Sequence, residues 1–447
     1  MFWFETHVAL AIWTVLALAA TIIILQQRRT PQSTLAWLLA IILVPYVTLP
    51  LFLIFGVRRG EGHADTIRFG RSGAPPVQDD EAAVFAALGA PGAAAGHRFR
   101  LLPTGEECHA ELSALIDEAR ESLDVMFYIV ADDEIGRGMV DMLARRAGEG
   151  VKVRLMMDRF GSLRAPRGAL ARLRAAGGEV RFTRPFWHSL AVNRLNQRNH
   201  RKLVIADGAR VFAGGMNVGR EYMGPAPDPD RWTDLSFRLD GPVAADFAAV
   251  FAADWGTPAP PPPVGLAPGG TCIAQLVPAG PDMTNDVLHD GLVQALHAAR
   301  RRIWIATPYF LPTELLANAL DTAARRGVDV RILVPETSNQ RIADFARGAY
   351  LRNLAEAGAR VLLFEGGMMH AKMGVIDDMA WVGSANFDVR SMLLNFETCL
   401  FVHDAGGVAV LARWFEVAAR RSREAAPSAG LGRRLSEGAF RLWAPVL

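Results

Sequence analysis

The stretch His200–Gly208, HRKLVIADG, decides how this chain is read. Lys202 stands in it as one of only three lysines, with Lys152 and Lys372, among 48 Lys and Arg residues. Where arginine is the default cation, a lysine here points to a need for a compact, rotatable ammonium. HRKLVI is strand-like, and a period of two puts His200, Lys202 and Val204 on one face and Arg201, Leu203 and Ile205 on the other. Histidine and lysine then point into the same space, one pleat apart. Asp207-Gly208 supplies a tight turn, and ARVFAGG returns as the partner strand, ending in glycines that let a ligand approach the backbone.

The pattern occurs twice. His370, Lys372 and Asp377 in HAKMGVIDD repeat the H-x-K-x4-D spacing of His200, Lys202 and Asp207. Gly214, Gly215 and Asn217 follow the first copy; Gly383, Ser384 and Asn386 follow the second. Asp377 to Gly383 is one residue shorter than Asp207 to Gly214, so the hairpin register is where the copies agree least. A lone histidine on a strand is usually structural, and a single H-x-K arises by chance in many proteins. Two copies with matching Asp, Gly and Asn are a chemical signature. Metal binding by His200 and His370 is the competing reading. A charged lysine beside each is a poor ligand and no acidic cluster accompanies them, so neither metal nor cofactor is expected.

The flanks repeat as well. ARESLDVMFYIV followed by ARRAGEGVKVRLMMD has its counterpart in ARRRIWIATPYF followed by ARRGVDVRILVP, each reading helix, buried strand, helix, buried strand. Two α/β layer structures related by duplication are predicted. At 447 residues the chain accommodates them with sizeable cores. A net charge of +2 gives no global basic field for nucleic acid. Cys108, Cys272 and Cys399 are odd in number and widely spaced, implying neither a disulfide framework nor a zinc site.

The N-terminal region departs from a soluble protein. Val8–Leu25, VALAIWTVLALAATIIIL, is an uncharged apolar run of 18 residues, and Leu35–Val57 is a second of 23. Each is long enough to span a bilayer. A cleaved signal peptide competes for the first, but the leader holds Glu5 and no Lys or Arg, which favours an anchor. Pro45 and Pro50 predict a kink in the second, and a re-entrant hairpin is the alternative. Arg28 and Arg29 lie between the runs, against Arg58, Arg59, Arg68 and Arg71 after the second, which places the C-terminal part in the cytoplasm. The domain reading is 1–57 two-segment membrane anchor, 58–98 linker, 99–255 first half, 256–270 Pro-rich spacer and 271–447 second half.

With these motifs the chain resembles the phospholipase D superfamily, whose members carry two H-x-K-x4-D motifs in two similar halves. Within it the chain is similar to the bacterial cardiolipin synthases, on NHRKLVIADG, GGMNVGREY, TPYFLP, HAKMGVIDD, GSANFDVRSMLLNFE and the anchor ending in LFLIFGVRR. The resemblance implies two α-β-α sandwich halves forming one pseudo-symmetric catalytic unit behind a transmembrane hairpin. It implies a bacterial inner-membrane, multi-pass location and a phospholipid substrate, phosphatidylglycerol above others, with nucleic acid not expected.

The resemblance also assigns His200 as nucleophile and His370 as acid and base. Lys202, Lys372, Asn217 and Asn386 would serve the phosphoryl oxygens, since cleaving an anionic phosphodiester without metal needs cations and donors around it. Glu397 would support His200 and Asp234 would support His370, crossing between halves. Asp207 and Asp377 join the site on the motif alone, and their spacing suggests that they buttress the turns. Two function classes stay open: a transferase in which a second phosphatidylglycerol takes the phosphatidyl group, and a hydrolase in which water does, on phospholipid or on nucleic acid. Phe186, Trp187, Met368, Met369, Leu393 and Leu394, together with the anchor, favour lipid.

Overall fold

In the computed structural model the first repeat contributes β1 (Ala94–Leu102), β2 (Ser122–Phe127), β3 (Lys152–Met157), β4 (Glu179–Phe182), β5 (Leu203–Ala206), β6 (Arg210–Gly214) and β7 (Ser236–Asp240). The second contributes β8 (Cys272–Ala279), β9 (Arg302–Ala306), the short β10 (Phe310–Leu311), β11 (Asp329–Pro335), β12 (Arg360–Phe364), β13 (Met373–Ile376), β14 (Met379–Gly383), the short β15 (Phe387–Asp388) and β16 (Glu397–Val402). β17 (Ser422–Glu424) borders β12. All but β10 and β15 make one sheet, ordered β17-β12-β11-β9-β13-β14-β16-β8-β1-β7-β6-β5-β2-β3-β4. Outward from its centre, β1-β7-β6-β5-β2-β3-β4 and β8-β16-β14-β13-β9-β11-β12 are the same arrangement. The two join through antiparallel β1 and β8, Ala94 opposite Ala274.

The structure describes residues 2–26, 31–52, 67, 69, 79–183, 197–261, 269–425 and 429–441. They fall into two units, 1–64 with 184–197, and 65–183 with 198–447. In the larger unit β5 is buried along its whole length, as a strand covered on both faces must be. Leu203 and Ile205 enter one core while Val204 and Ala206 enter another, so the period of two holds.

The mismatch between the repeats lies in a turn. β5 and β6 pair Ala206 with Arg210, leaving three residues between them, whereas β13 and β14 pair Ile376 with Met379, leaving two. The strands themselves keep register. Asp207 and Asp377 both have positive φ, 51° and 45°, a conformation that Asp tolerates better than most residues. Each carboxylate repays this by accepting backbone amides from the start of the neighbouring strand. Asp207 takes those of Arg120, Glu121 (2.7 Å) and Ser122 (3.0 Å); Asp377 takes those of Arg300 (2.8 Å), Arg301 (2.9 Å) and Arg302 (3.0 Å).

The range read as a linker, 58–98, is not all linker. A helix spans Asp80–Ala87, capped by the Asp79 carboxylate, and β1 starts at Ala94. Phe85 of that helix is buried against Phe401, ring centroids 4.6 Å apart, which fixes the segment to the second half. The small unit holds α1 (Phe2–Gln26), α2 (Pro31–Leu43) and α3 (Pro45–Leu51). The second apolar run is thus cut at Val44, where Pro45 opens a new helix. Among the described residues no helix is long and apolar enough to cross a membrane.

Candidate active site

Two backbone bridges bring the halves together. The segment before β5 pairs with the segment before β16: His200 N–H donates to Phe396 O and Phe396 N–H to Arg198 O, both at 2.9 Å. The segment before β13 pairs likewise beyond β6: His370 N–H donates to Thr233 O (2.7 Å) and Thr233 N–H to Met368 O (2.9 Å). Each histidine is therefore tied to the residue just before a carboxylate of the opposite half.

Side chains follow the backbone. His200 Nδ1 lies 3.0 Å from both Glu397 carboxylate oxygens, and His370 Nδ1 lies 2.6 Å from Asp234 Oδ2. A carboxylate only accepts, so in each pair Nδ1–H donates and the Nε2 lone pair is left for chemistry. Glu397 is fully buried and also accepts from Ser384 Oγ and from Ser391 Oγ (2.8 Å). Burial pushes its carboxyl up, but His200, Lys202 and Ser384 outweigh that and hold it below the usual range. Among the described residues no hydroxyl bonds Asp234: the position matching Ser384 is Gly215, where a Cβ would meet Asp234 Oδ1 at 2.3 Å.

Both lysines are buried, at 0% and 1% exposure. Lys202 Nζ donates to His200 O (2.6 Å) and faces the Tyr128 ring at 5.5 Å. Lys372 Nζ sits over the His370 ring, 2.7 Å from Nδ1 and 3.1 Å from Nε2, and donates to His370 O. Burial drives Lys202 down to about 7, with Lys372 repelling it against the pull of Glu397. Burial drives Lys372 down to about 8 despite Asp234 and Glu397. His370 falls to about 3, by burial and by Lys372 against Asp234. His200 falls too, by burial and the lysines against Glu397. Each histidine feels the lysines of both halves, so the two motifs make one site, in which two buried lysines and two carboxylates surround the imidazoles.

Asn217 and Asn386 are buried with it. Asn217 Oδ1 accepts from Ile129 N–H at 3.1 Å, and its side chain also bonds Tyr222. Asn386 Oδ1 has no partner among the described residues. Asp207 and Asp377 are not brought to the site. They follow the last residues of β5 and β13, whereas the histidines precede the first, so a strand's length separates them. Met369 and Leu394 are buried in packing, Met368 and Leu393 partly so; Phe186 and Trp187 lie outside the described residues.

Sequence reasoning missed several neighbours. Tyr222 and Trp232 pack on His370, centroids 5.6 and 5.2 Å away, and Tyr128 packs on His200 at 5.0 Å. Arg201, assigned only to the opposite face, bridges the halves: fully buried, it reaches Asp254 and Asp282, each at 2.7 Å. Buried acidic partners offset the desolvation of its guanidinium. The HRK tripeptide carried a clue, because an arginine next to a buried strand must find acids or reach water.

A family model described as cardiolipin synthase, PLD-like domain matches residues 112–255 and 292–418, one copy over each half. The chain belongs to that family. Residues 15–56 match a second model, phospholipase D-nuclease N-terminal. Family relatives include a probable cardiolipin synthase of Bacillus subtilis, 32% identical over 94% of this chain and 90% of that protein. Cardiolipin synthase A of Pseudomonas syringae is 35% identical over 84% of each chain. Among solved structures, a phosphatidylserine synthase of Haemophilus influenzae has the same fold, with TM-score 0.61 and 16% identity over 78% of this chain and 95% of that one.

Proposed function

We propose that the chain is a membrane-bound phosphatidyltransferase that makes cardiolipin and glycerol from two phosphatidylglycerols through a phosphohistidine. The observation that carries this is the crossed pair of carboxylate-oriented histidines, each beside a buried lysine. His200 Nε2 attacks phosphorus of the first phosphatidylglycerol; the bond to the glycerol headgroup breaks, and His370, having taken up a proton at Nε2 as the anionic substrate binds, gives that oxygen the proton. The headgroup hydroxyl of a second phosphatidylglycerol then attacks the phosphatidyl-histidine as His370 takes its proton. His200 leaves and cardiolipin forms. Lys202, Lys372, Asn217 and Asn386 balance the charge on the phosphoryl oxygens. Asp207 and Asp377 hold the motif strands in place and touch no substrate.

The assignment of His200 as nucleophile draws support from Glu397. Its three donors, His200, Ser384 and Ser391, fix the carboxylate that must steady a cationic phosphoimidazole. In the same proposal residues 1–57 anchor the chain as a two-segment hairpin in the bacterial inner membrane, with the catalytic part on the cytoplasmic side. The exposed apolar side chains of α1 to α3, among them Leu10, Val15, Leu18, Leu39 and Ile42, support it. The two halves, 99–255 and 271–447, form the catalytic unit, joined by the spacer 256–270. Mass spectrometry of lipids after incubating the purified chain with phosphatidylglycerol alone tests the reading. Cardiolipin with one glycerol per turnover is expected; phosphatidic acid as the main product would make the chain a hydrolase.

A further inference from the structure

The mouth of the site lies at one identifiable end of the sheet. Met126 of β2 pairs with Leu203 of β5, and Ala306 of β9 with Met373 of β13. The ends from which β2 and β9 exit are therefore the ends at which His200 and His370 enter. β3 and β11 run parallel to β2 and β9, so the segments that leave them also emerge there. Those two segments occupy equivalent places in the two halves.

Both carry apolar side chains into solvent. Phe160 and Leu163 follow β3, and Leu163 is 67% exposed. Ile342 and Phe345 follow β11, beginning the helix Arg341–Glu356. The helix Leu431–Arg441 lies against the latter, Glu437 pairing with Arg352 at 2.5 Å and Arg433 standing over the Phe345 ring at 5.8 Å. It adds Leu431 and Leu435, the second 68% exposed. The other exposed large hydrophobic side chains described in the larger unit are Leu315, at the start of the helix Glu314–Arg325, and Val410 and Val417, on the helix Ala405–Arg420.

Cations are interleaved with them. Arg164, Arg167 and Arg174 in the first half, and Arg341 and Arg434 in the second, make no ion pair among the described residues, although many surface arginines elsewhere do, such as Arg145, Arg172 and Arg325. Between Arg159, Arg167 and Arg174 lies a hollow of about 360 Å³ floored by Ala165, Leu170 and Phe182. An apolar tip ringed by unneutralised guanidinium groups suits a surface that is anionic outside and hydrocarbon beneath. A protein partner of comparable area would be flatter and would bring its own acids.

We propose that this two-sided rim is a bilayer-docking surface, seating the mouth of the site on an anionic phospholipid leaflet so that substrate enters from the membrane plane. The proposal rests on the phospholipid reading above and adds the surface by which the catalytic unit meets its substrate. Leu163→Cys and Ile342→Cys, each carrying a bimane dye in the full chain reconstituted into phosphatidylglycerol and phosphatidylcholine nanodiscs, should be quenched by bromine-labelled acyl chains. The native cysteines are buried, and Glu149→Cys, beyond the far end of a helix, is the control that should not be quenched. The combined Arg164→Glu, Arg167→Glu and Arg174→Glu variant should lose at least half of the Leu163 quenching. Its turnover on nanodiscs of low phosphatidylglycerol content should fall about tenfold, with turnover on dispersed short-chain substrate kept. Quenching is read without turnover, so a hydrolase or an inactive preparation would leave that arm standing. Quenching at neither rim position, or equal quenching at position 149, would overturn the docking surface.

Discussion

His370 and Lys202 are set to respond to the charge of an anionic substrate. His370 is held at about 3 and Lys202 at about 7, the first cause in each being burial. A bound phosphodiester puts a negative charge beside both and raises both. A group whose affinity for protons rises on binding takes up protons when the pH lies between its free and bound values. Near pH 7 phosphatidylglycerol binding should therefore take up protons, and the observed enthalpy should depend on the ionisation heat of the buffer. Calorimetry of the His200→Ala variant with a short-chain substrate, in buffers of differing ionisation heat, measures this without turnover. Proton release, or no buffer dependence, would contradict the electrostatics described for the lysines. The low value of His370 makes folding sensitive to acid. Neutral buried His370 is matched by an unfolded imidazole that protonates below about 6.5, so between about 3 and 6.5 the unfolded state binds more protons and stability falls as pH falls.

At the scale of elements, the motif aspartates are anchors for the strands that carry the chemistry. Asp377 accepts three consecutive amides at the start of β9 while its own backbone turns through positive φ. Losing those bonds should cost roughly 2 kcal/mol, since amide hydrogen bonds to a carboxylate are among the stronger ones. Asp377→Ala should lower the melting temperature by several degrees and leave kcat of the folded enzyme within about twofold. Asp377→Asn, which keeps an acceptor and tolerates the turn, should fall between. A kcat loss as large as that of His370→Ala, with melting unchanged, would return Asp377 to the chemistry. The spacing already hinted at these roles, because an odd separation of seven residues turns each aspartate away from the face of its histidine. The structure adds that a strand's length puts them at opposite ends. The opposite failure occurred at Asp80–Ala87, where a Gly-, Ala- and Pro-rich range hid a helix whose Phe85 finds its place only once the second half supplies Phe401.

Across the whole molecule, the duplication was legible because it was written twice, and the crossing of Glu397 and Asp234 was legible only through family resemblance. Nothing in the spacing brings residue 397 to residue 200; the backbone bridge from Phe396 to His200 does. The hydroxyls of Ser384 and Ser391 on Glu397 were hidden for a similar reason, since serines are common in such loops and their aim is set by the fold. The asymmetry they create predicts different consequences for removing the two carboxylates. If His200 becomes the phosphohistidine, Glu397 must steady a cation there, and Glu397→Gln should abolish trapping of labelled phosphatidyl group even from a donor with an activated leaving group. Asp234→Asn impairs only the proton carried by His370, which such a donor does not need. It should still be labelled, and the label should persist in glycerol, because the acceptor then lacks its base. Rapid acid-free quenching followed by peptide mapping reads both. Label on His370 with Asp234→Asn unlabelled and Glu397→Gln labelled would exchange the roles of the halves; label in neither variant, alongside a labelled parent, would mean that each imidazole needs its carboxylate in the first step.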